Sequence, residues 1–167
     1  NFCYYIYSSA LADGHGYADL SQPGMPATSA FPPGYPILMT PLRMITDSIV
    51  AQKWLNEVFV LGGILLLYFA LLRLSLHYSI AFVAAVSGVF CPRLLHFSTM
   101  MMSEASFFCA SMLVLYALVR MRESESTWWS ELKQPWGYVL IVGLVLTYHI
   151  RTQGLALVAG VLFYLLI

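Results

Sequence analysis

Phe31-Pro-Pro-Gly-Tyr-Pro-Ile-Leu-Met-Thr-Pro-Leu42 divides the chain into a semi-polar first part and an apolar second part. Its prolines fix φ and remove backbone donors, so the stretch is not an ordinary helix interior. Pro32 and Pro33 favour extended backbone, and Gly34 permits a tight turn. Pro36 suits the first position of a new helix, where its missing N–H costs nothing. We expect an elbow that leads the chain from a surface loop into a lipid bilayer.

Composition places the chain among membrane proteins. Of its 167 residues, 60% are hydrophobic and 10% are charged, and the mean hydropathy is +0.76. Soluble domains carry roughly a quarter charged residues. The apolar runs are continuous rather than alternating, which is not the pattern of a membrane β-barrel. The sequence therefore predicts an all-α fold, a polytopic transmembrane helical bundle. The net charge of zero gives no indication of a nucleic-acid partner.

Five apolar runs predict membrane-spanning helices, at about 54–72, 78–95, 104–119, 136–150 and 155–167, the last of them truncated. Residues 1–53 precede them as one surface segment. Within it, 2–12 and 36–46 predict short interfacial helices, because aromatic rings suit the lipid–water boundary. The chain starts without Met and stops inside an apolar run, so we expect an N-terminal fragment of a longer protein.

Each predicted crossing reverses the side of the membrane on which the chain lies. Residues 1–53, 96–103 and 151–154 should therefore share one side, with 73–77 and 120–134 on the other. The polar segment 120–134 predicts a solvated loop or surface helix, with Trp128 and Trp129 at the interface. Lys and Arg are equally numerous on the two sides, so charge alone gives no orientation.

Glu104 and Arg151 are the candidates for chemistry, and each allows two interpretations. Glu104 follows Ser103 at the start of a predicted span, where a helix dipole favours an acid and Ser is a common N-cap. A carboxylate at membrane depth is also costly and usually faces a cavity. Arg151 is either an interfacial arginine that extends to water or a guanidinium that binds a phosphate. The helix that begins at Gly154 would add free N–H groups beside it.

Other polar residues carry weaker signals. Arg93 offers the same chemistry as Arg151 with less specificity, and His96 is either a structural or a binding histidine. Tyr35 is an interface anchor or lines a cleft. Asp13, His15 and Asp19 fit no standard ligand spacing, so no metal site is predicted. The cysteines lack paired spacing and are interpreted as apolar fillers: Cys3, Cys91 and Cys109.

Several motifs of soluble enzymes are absent from the sequence. It has no Gly-rich phosphate loop with Lys, no Gly-x-Ser-x-Gly, no His-Glu-x-x-His and no Cys-x-x-Cys. It also has no Asp-x-Asp, with which soluble sugar-nucleotide transferases hold a metal-bound diphosphate. An activated nucleotide substrate is therefore not indicated.

Four motifs occur in an order that resembles a known family. They are Tyr4-Tyr5 followed by Ala12-Asp13-Gly14-His15-Gly16-Tyr17, then Pro32-Pro33-Gly34-Tyr35-Pro36, then Met102-Ser103-Glu104, and finally Tyr148-His-Ile-Arg151-Thr-Gln-Gly154. The set is similar to the GT-C-fold membrane glycosyltransferases that use lipid-linked sugars, such as the aminoarabinose transferases and protein O-mannosyltransferases. The resemblance covers nearly the whole sequence.

The resemblance implies an inverting transferase in the inner or plasma membrane, with its active face and first loop extracytoplasmic. The donor would be a polyprenyl-phosphate-linked sugar, and the acceptor a glycan, lipid or protein. The catalytic base would be an Asp immediately before Asn1. Arg151 would hold the leaving phosphate, and Glu104 would orient a donor or acceptor group. Substrate binding is expected at Tyr35, Arg93, His96 and Gln153. No cofactor is implied, and a divalent metal is not indicated by the residues.

A different class of function also fits the charges. A multi-pass transporter or flippase for a lipid-linked or anionic substrate would line its path with residues such as Glu104 and Arg151. Such a protein should show paired repeats with broken spans at mid-depth, whereas these charges lie at the ends of predicted spans. A purely structural scaffold would not need charges clustered on one side.

Overall fold

The computed structural model describes residues 2–28, 30–74, 76–122, 130 and 132–166. Most of the predicted polar loop, including Trp128 and Trp129, lies outside these residues. The described residues are all-helical apart from connecting segments and one isolated bridge between Ala18 and Ala27. Their helices are α1 (Phe2–Ala12), α2 (Gly34–Arg43), α3 (Ile49–Arg73), α4 (Tyr78–Val89), α5 (Pro92–Thr99), α6 (Glu104–Arg122), α7 (Pro135–Ile150) and α8 (Gly154–Leu166).

Two or three helices have the length and composition to cross a membrane. They are α3, with 25 residues, and α6, with 19, together with α4 and α5 if that bent pair forms one span. Helices α7 and α8 are apolar but shorter, with 16 and 13 residues. At 1.5 Å per residue such helices fall short of the ~30 Å hydrocarbon core. The described helices therefore support the assignment to membrane proteins, but they do not confirm the five predicted spans.

The predicted span at 78–95 is divided between two helices. Helix α4 ends at Val89, and α5 begins at Pro92 with a bend of 53° between them. Pro92 has no N–H for the helix ladder, and its ring restricts the residue before it. Cys91 accordingly has an extended backbone, with φ −68° and ψ 113°.

The helix that contains the first predicted span, at about 54–72, is longer than that span, because α3 begins at Ile49. Ser48 is its N-cap, and the Ser48 side chain accepts a hydrogen bond from the Ala51 N–H at 3.4 Å. That bond satisfies one of the backbone donors that a helix start leaves free. Residues 49–53, which precede the predicted span, therefore belong to the start of this helix.

The elbow differs from its prediction in the backbone of Pro33 and in both ends of α2. Pro33 adopts a helical backbone, with φ −76° and ψ −12°, so α2 begins at Gly34 rather than at Pro36. Pro36 then occupies the third helical position, which still lies among the four whose N–H has no partner within the helix. The helix ends at Arg43 instead of residue 46.

Helix α6 lies between α3 and α7, and glycines bring the three helices close together. A Cβ at Gly63 of α3 would lie 2.5 Å from Cε1 of Phe108, and one at Gly143 of α7 would lie 2.8 Å from Cγ2 of Val114. Small residues at such crossings allow backbones to approach, which is how helices pack in an apolar environment. Helices α4 and α5 pack on α3, and α8 packs on α7.

Arg43 joins the first two helices to each other. Its guanidinium donates to Ser9 Oγ at 2.9 Å and lies 4.3 Å from the ring centre of Tyr5. Its ion pair with Asp47, at 2.8 Å, adds little because the Asp47 side chain is 89% exposed. The contacts with Ser9 and Tyr5 therefore hold α2 against α1 at the end of the molecule that carries the elbow.

We predict that Gly63→Ala destabilises the protein by about 1–3 kcal/mol, because the new methyl group must displace the Phe108 ring in a packed crossing. Thermal unfolding of the full-length protein in lipid nanodiscs measures this as a lower Tm. Gly160→Ala is the matched control, since a Cβ there meets no atom within 4 Å. Equal Tm values for the two variants would contradict this packing.

Candidate functional site

Glu104 and Arg151 form an ion pair between two helix ends. Glu104 is the first residue of α6, and Arg151 follows the last residue of α7 with an extended backbone. Arg151 Nη1 lies 2.5 Å from Glu104 Oε1, and the two side chains are only 26% and 23% exposed. Partial burial reduces screening by water, so this pair interacts more strongly than one on an open surface.

Ser103 precedes α6 in the N-cap position that the sequence suggested, and its carbonyl accepts from the Phe107 N–H at 2.9 Å. Its hydroxyl is 3.3 Å from the Tyr4 hydroxyl, which connects the start of α6 to α1. The acid in the first turn of α6 retains the favourable helix-dipole interaction. Glu104 therefore makes two favourable interactions, one with the dipole of its own helix and one with Arg151 at the end of another helix.

A tight turn after α7 places Arg151 beside the start of α8. The Arg151 N–H donates to the Thr147 carbonyl at 3.0 Å, and the Gly154 N–H donates to the Arg151 carbonyl at 2.9 Å. A Cβ at Gly154 would lie 2.5 Å from the carbonyl carbon of Thr147. Only glycine permits this approach, so the sharp connection between α7 and α8 depends on it.

The elbow contacts the same helix end through its own glycine. A Cβ at Gly34 would lie 2.5 Å from the carbonyl carbon of His149 and 2.7 Å from the Ile150 nitrogen. These neighbours are backbone atoms, which cannot move aside as a flexible side chain can. The start of α2 therefore rests directly on the end of α7, next to Arg151.

The ion pair lies in the wall of a cleft of 360 Å³, which we call the charged cleft. Three connecting segments and α1 surround it. Its lining comprises Tyr4, loop residues 30–32, residues 102–104 and residues 150–153. Among the described lining residues, Glu104 and Arg151 carry charge, and the other polar side chains bear hydroxyl or amide groups.

The other predicted substrate-binding residues separate into three locations. Gln153 lines the charged cleft. Tyr35 is fully buried, with its ring 5.0 Å from that of Tyr4, so it lies behind the cleft wall rather than in it. Arg93 and His96 lie on α5, outside the lining, and Arg93 is 5.8 Å from the Phe97 ring. The catalytic base expected immediately before Asn1 would lie outside the described residues.

Asn56 is a residue of the site that the sequence analysis missed. It is fully buried in α3, accepts from the Tyr35 hydroxyl at 2.8 Å and donates to the Met100 carbonyl. Burial raises the pKa of Tyr35, so its hydroxyl keeps the proton that it donates. These bonds connect α2, α3 and the segment before Glu104. An amide inside an apolar run is costly without partners, and this signal in the sequence would have identified it.

No protein-family model, curated protein or solved structure matches the chain. Function is therefore inferred from the site itself. Among the described residues, no group of three or more His, Cys, Asp or Glu side chains is arranged to hold a metal ion.

We predict that Tyr35→Phe destabilises the protein by about 1–3 kcal/mol, because it leaves the buried Asn56 oxygen without its donor. Tyr138→Phe is the control, since the Tyr138 side chain is 62% exposed on α7. Thermal unfolding in nanodiscs compares the two variants. A Tm for Tyr35→Phe equal to that of the control would show that this hydrogen bond does not stabilise the fold.

Proposed function

We propose that the chain is part of a membrane glycosyltransferase that moves a sugar from a polyprenyl-phosphate donor to an extracytoplasmic acceptor with inversion. The observation that supports this best is the Glu104–Arg151 ion pair in the wall of the charged cleft. The pair lies at one end of a set of apolar helices, where a lipid-linked anion can meet a fixed cation. The active face would be the extracytoplasmic side of the inner or plasma membrane.

Arg151 has the chemistry to receive a phosphate. A guanidinium carries five N–H donors, and the contact with Glu104 joins one Arg151 nitrogen to one carboxylate oxygen. Other donors remain for a planar pair of phosphate oxygens. Glu104 fixes the guanidinium before the ligand arrives, which lowers the ordering cost of binding.

The apolar helices next to the cleft suit the lipid part of the donor. Large hydrophobic side chains are exposed along α3 and α7, including Leu61, Leu65 and Val142. A polyprenyl chain can stay among such side chains in the bilayer while its phosphate reaches the cleft at the helix ends. Exposed apolar patches of this kind are typical of surfaces that face lipid.

The reaction has one bond made and one bond broken. A base removes the proton from an acceptor hydroxyl or amine, and the freed lone pair attacks the anomeric carbon of the sugar. The bond between that carbon and the phosphate oxygen breaks, and the polyprenyl phosphate leaves with the electron pair. Arg151 stabilises the charge that develops on the leaving oxygen. The resemblance assigns the base to an acid before Asn1, and the step needs no cofactor.

A transporter or flippase for a lipid-linked or anionic substrate is the second candidate. The bend of 53° between α4 and α5 favours it, because transporters often contain broken helices at their binding sites. The break at residues 90–91 does not line the charged cleft, however. The ion pair lies instead at helix ends, which suits chemistry at the lipid–water boundary.

Arg151→Ala in the full-length protein is predicted to lower sugar transfer by about 10²–10³-fold, the usual cost of removing a donor that stabilises developing charge. The fall in rate is measured as transfer of labelled sugar from a polyprenyl-phosphate donor in isolated membranes. Lys53→Ala removes an exposed cation near the start of α3 and should leave transfer unchanged. If Arg151→Ala transfers sugar normally, the phosphate role is refuted. If the protein moves the donor across the vesicle membrane without forming a glycosylated product, the transporter proposal replaces the enzyme proposal.

Glu104→Gln is predicted to lower transfer less than Arg151→Ala does, because it removes the partner of the guanidinium and leaves the guanidinium itself. In the Arg151→Ala background the same change should add little, since contacting residues are not additive. A double-mutant cycle on the transfer rate measures this coupling. An unchanged transfer rate in Glu104→Gln would show that Glu104 only stabilises the start of α6 through the helix dipole.

A further inference from the structure

A second cleft lies beside the charged one, and we infer that it binds a neutral, hydroxylated ring, that is, a carbohydrate, as the acceptor. Its volume is 460 Å³, and its lining comprises Tyr17, Thr28, residues 30–33, Tyr148, His149 and Thr152. We call it the aromatic cleft. The acceptor role rests on the proposed function, whereas carbohydrate binding is tested independently of it.

The two clefts share a wall. Ala30, Phe31, Pro32 and Thr152 line both of them. A ligand in the aromatic cleft therefore lies next to one in the charged cleft. This is the arrangement that a transfer between two bound molecules requires, because the reacting atoms must come within about 3–3.5 Å.

The lining of the aromatic cleft selects a neutral ligand. It contains the rings of Tyr17, Phe31 and Tyr148, and its polar side chains are hydroxyl groups and a histidine; no Asp, Glu, Lys or Arg lines it among the described residues. A sugar ring presents C–H groups on its faces and hydroxyls at its edge. Aromatic side chains with polar tips suit both parts of such a ligand. An anion would find its partner only across the shared wall, at Arg151.

Hydrogen bonds hold the aromatic cleft in shape before any ligand binds. The Tyr17 hydroxyl donates to the Phe31 carbonyl at 2.9 Å, and its ring packs 5.2 Å from that of Tyr7. His149 Nδ1 lies 2.8 Å from the Val145 carbonyl oxygen. A carbonyl only accepts, so Nδ1 carries a proton, and Nε2 is the ring nitrogen left for a ligand hydroxyl. Fixed walls reduce the entropy that binding must offset.

Saturation-transfer NMR on the full-length protein in lipid nanodiscs tests the inference, with methyl glucopyranoside as the neutral probe and glucose phosphate as the anionic one. We expect the glucoside to bind, and Tyr148→Ala to weaken it about tenfold. Tyr148→Phe, which keeps the ring, should weaken it less. Tyr138→Ala, an exposed tyrosine on the same helix, should bind as the unchanged protein does.

The outcomes separate this site from the proposed function. Arg151→Ala should leave glucoside binding unchanged, because Arg151 does not line the aromatic cleft. Absence of glucoside binding, or binding that Tyr148→Ala leaves intact, overturns the inference. Stronger Tyr148-dependent binding of glucose phosphate overturns the selection for a neutral ligand. If the glucoside binds at Tyr148 but the protein transfers no sugar, the glycosyltransferase proposal fails and the carbohydrate site remains.

Discussion

Hydrogen bonds between buried polar groups of distant segments fix how the segments meet at this end of the molecule. Asn56 accepts from Tyr35 and donates to the Met100 carbonyl, and Ser103 bonds to Tyr4. Each bond joins two elements that are distant in the chain. Without them, an amide and several hydroxyls would be buried unpaired, at a cost of several kcal/mol in total. The two clefts exist because these bonds hold the connecting segments in place.

The sequence pointed to Glu104 and Arg151 for a physical reason. Charges are rare in apolar runs, and counting predicted crossings put both residues on one side. The structure joins them as an ion pair. Tyr35 was singled out for its place in the elbow, but a single ring carries no signal that separates a cleft wall from the core behind it. Arg93 and His96 follow Pro92, whose bend directs their short helix along another path.

The ends of the helices were harder to predict than their existence. The existence of α3, α6 and α7 follows from long apolar runs, whereas their ends depend on single capping contacts. Ser48 extends α3 by five residues before the expected start, and Pro92 divides a run that reads as continuous. The aromatic cleft could not be predicted at all. It needs the loop around Phe31 to lie against the end of α7, and that contact depends on the missing Cβ of Gly34.

The long separation between contacting segments has a consequence for biogenesis. Tyr4 and Ser103 are 99 positions apart, and the elbow rests on a helix that is made later still. A ribosome delivers the chain from its N-terminus, so α1 and α2 emerge long before α7 exists to support them. Their aromatic faces stay unburied until the later helices have been made. The two ligand-sized spaces are thus among the last features of the described residues to form, and a delay in the synthesis or packing of α7 would expose the first helices to proteases and chaperones.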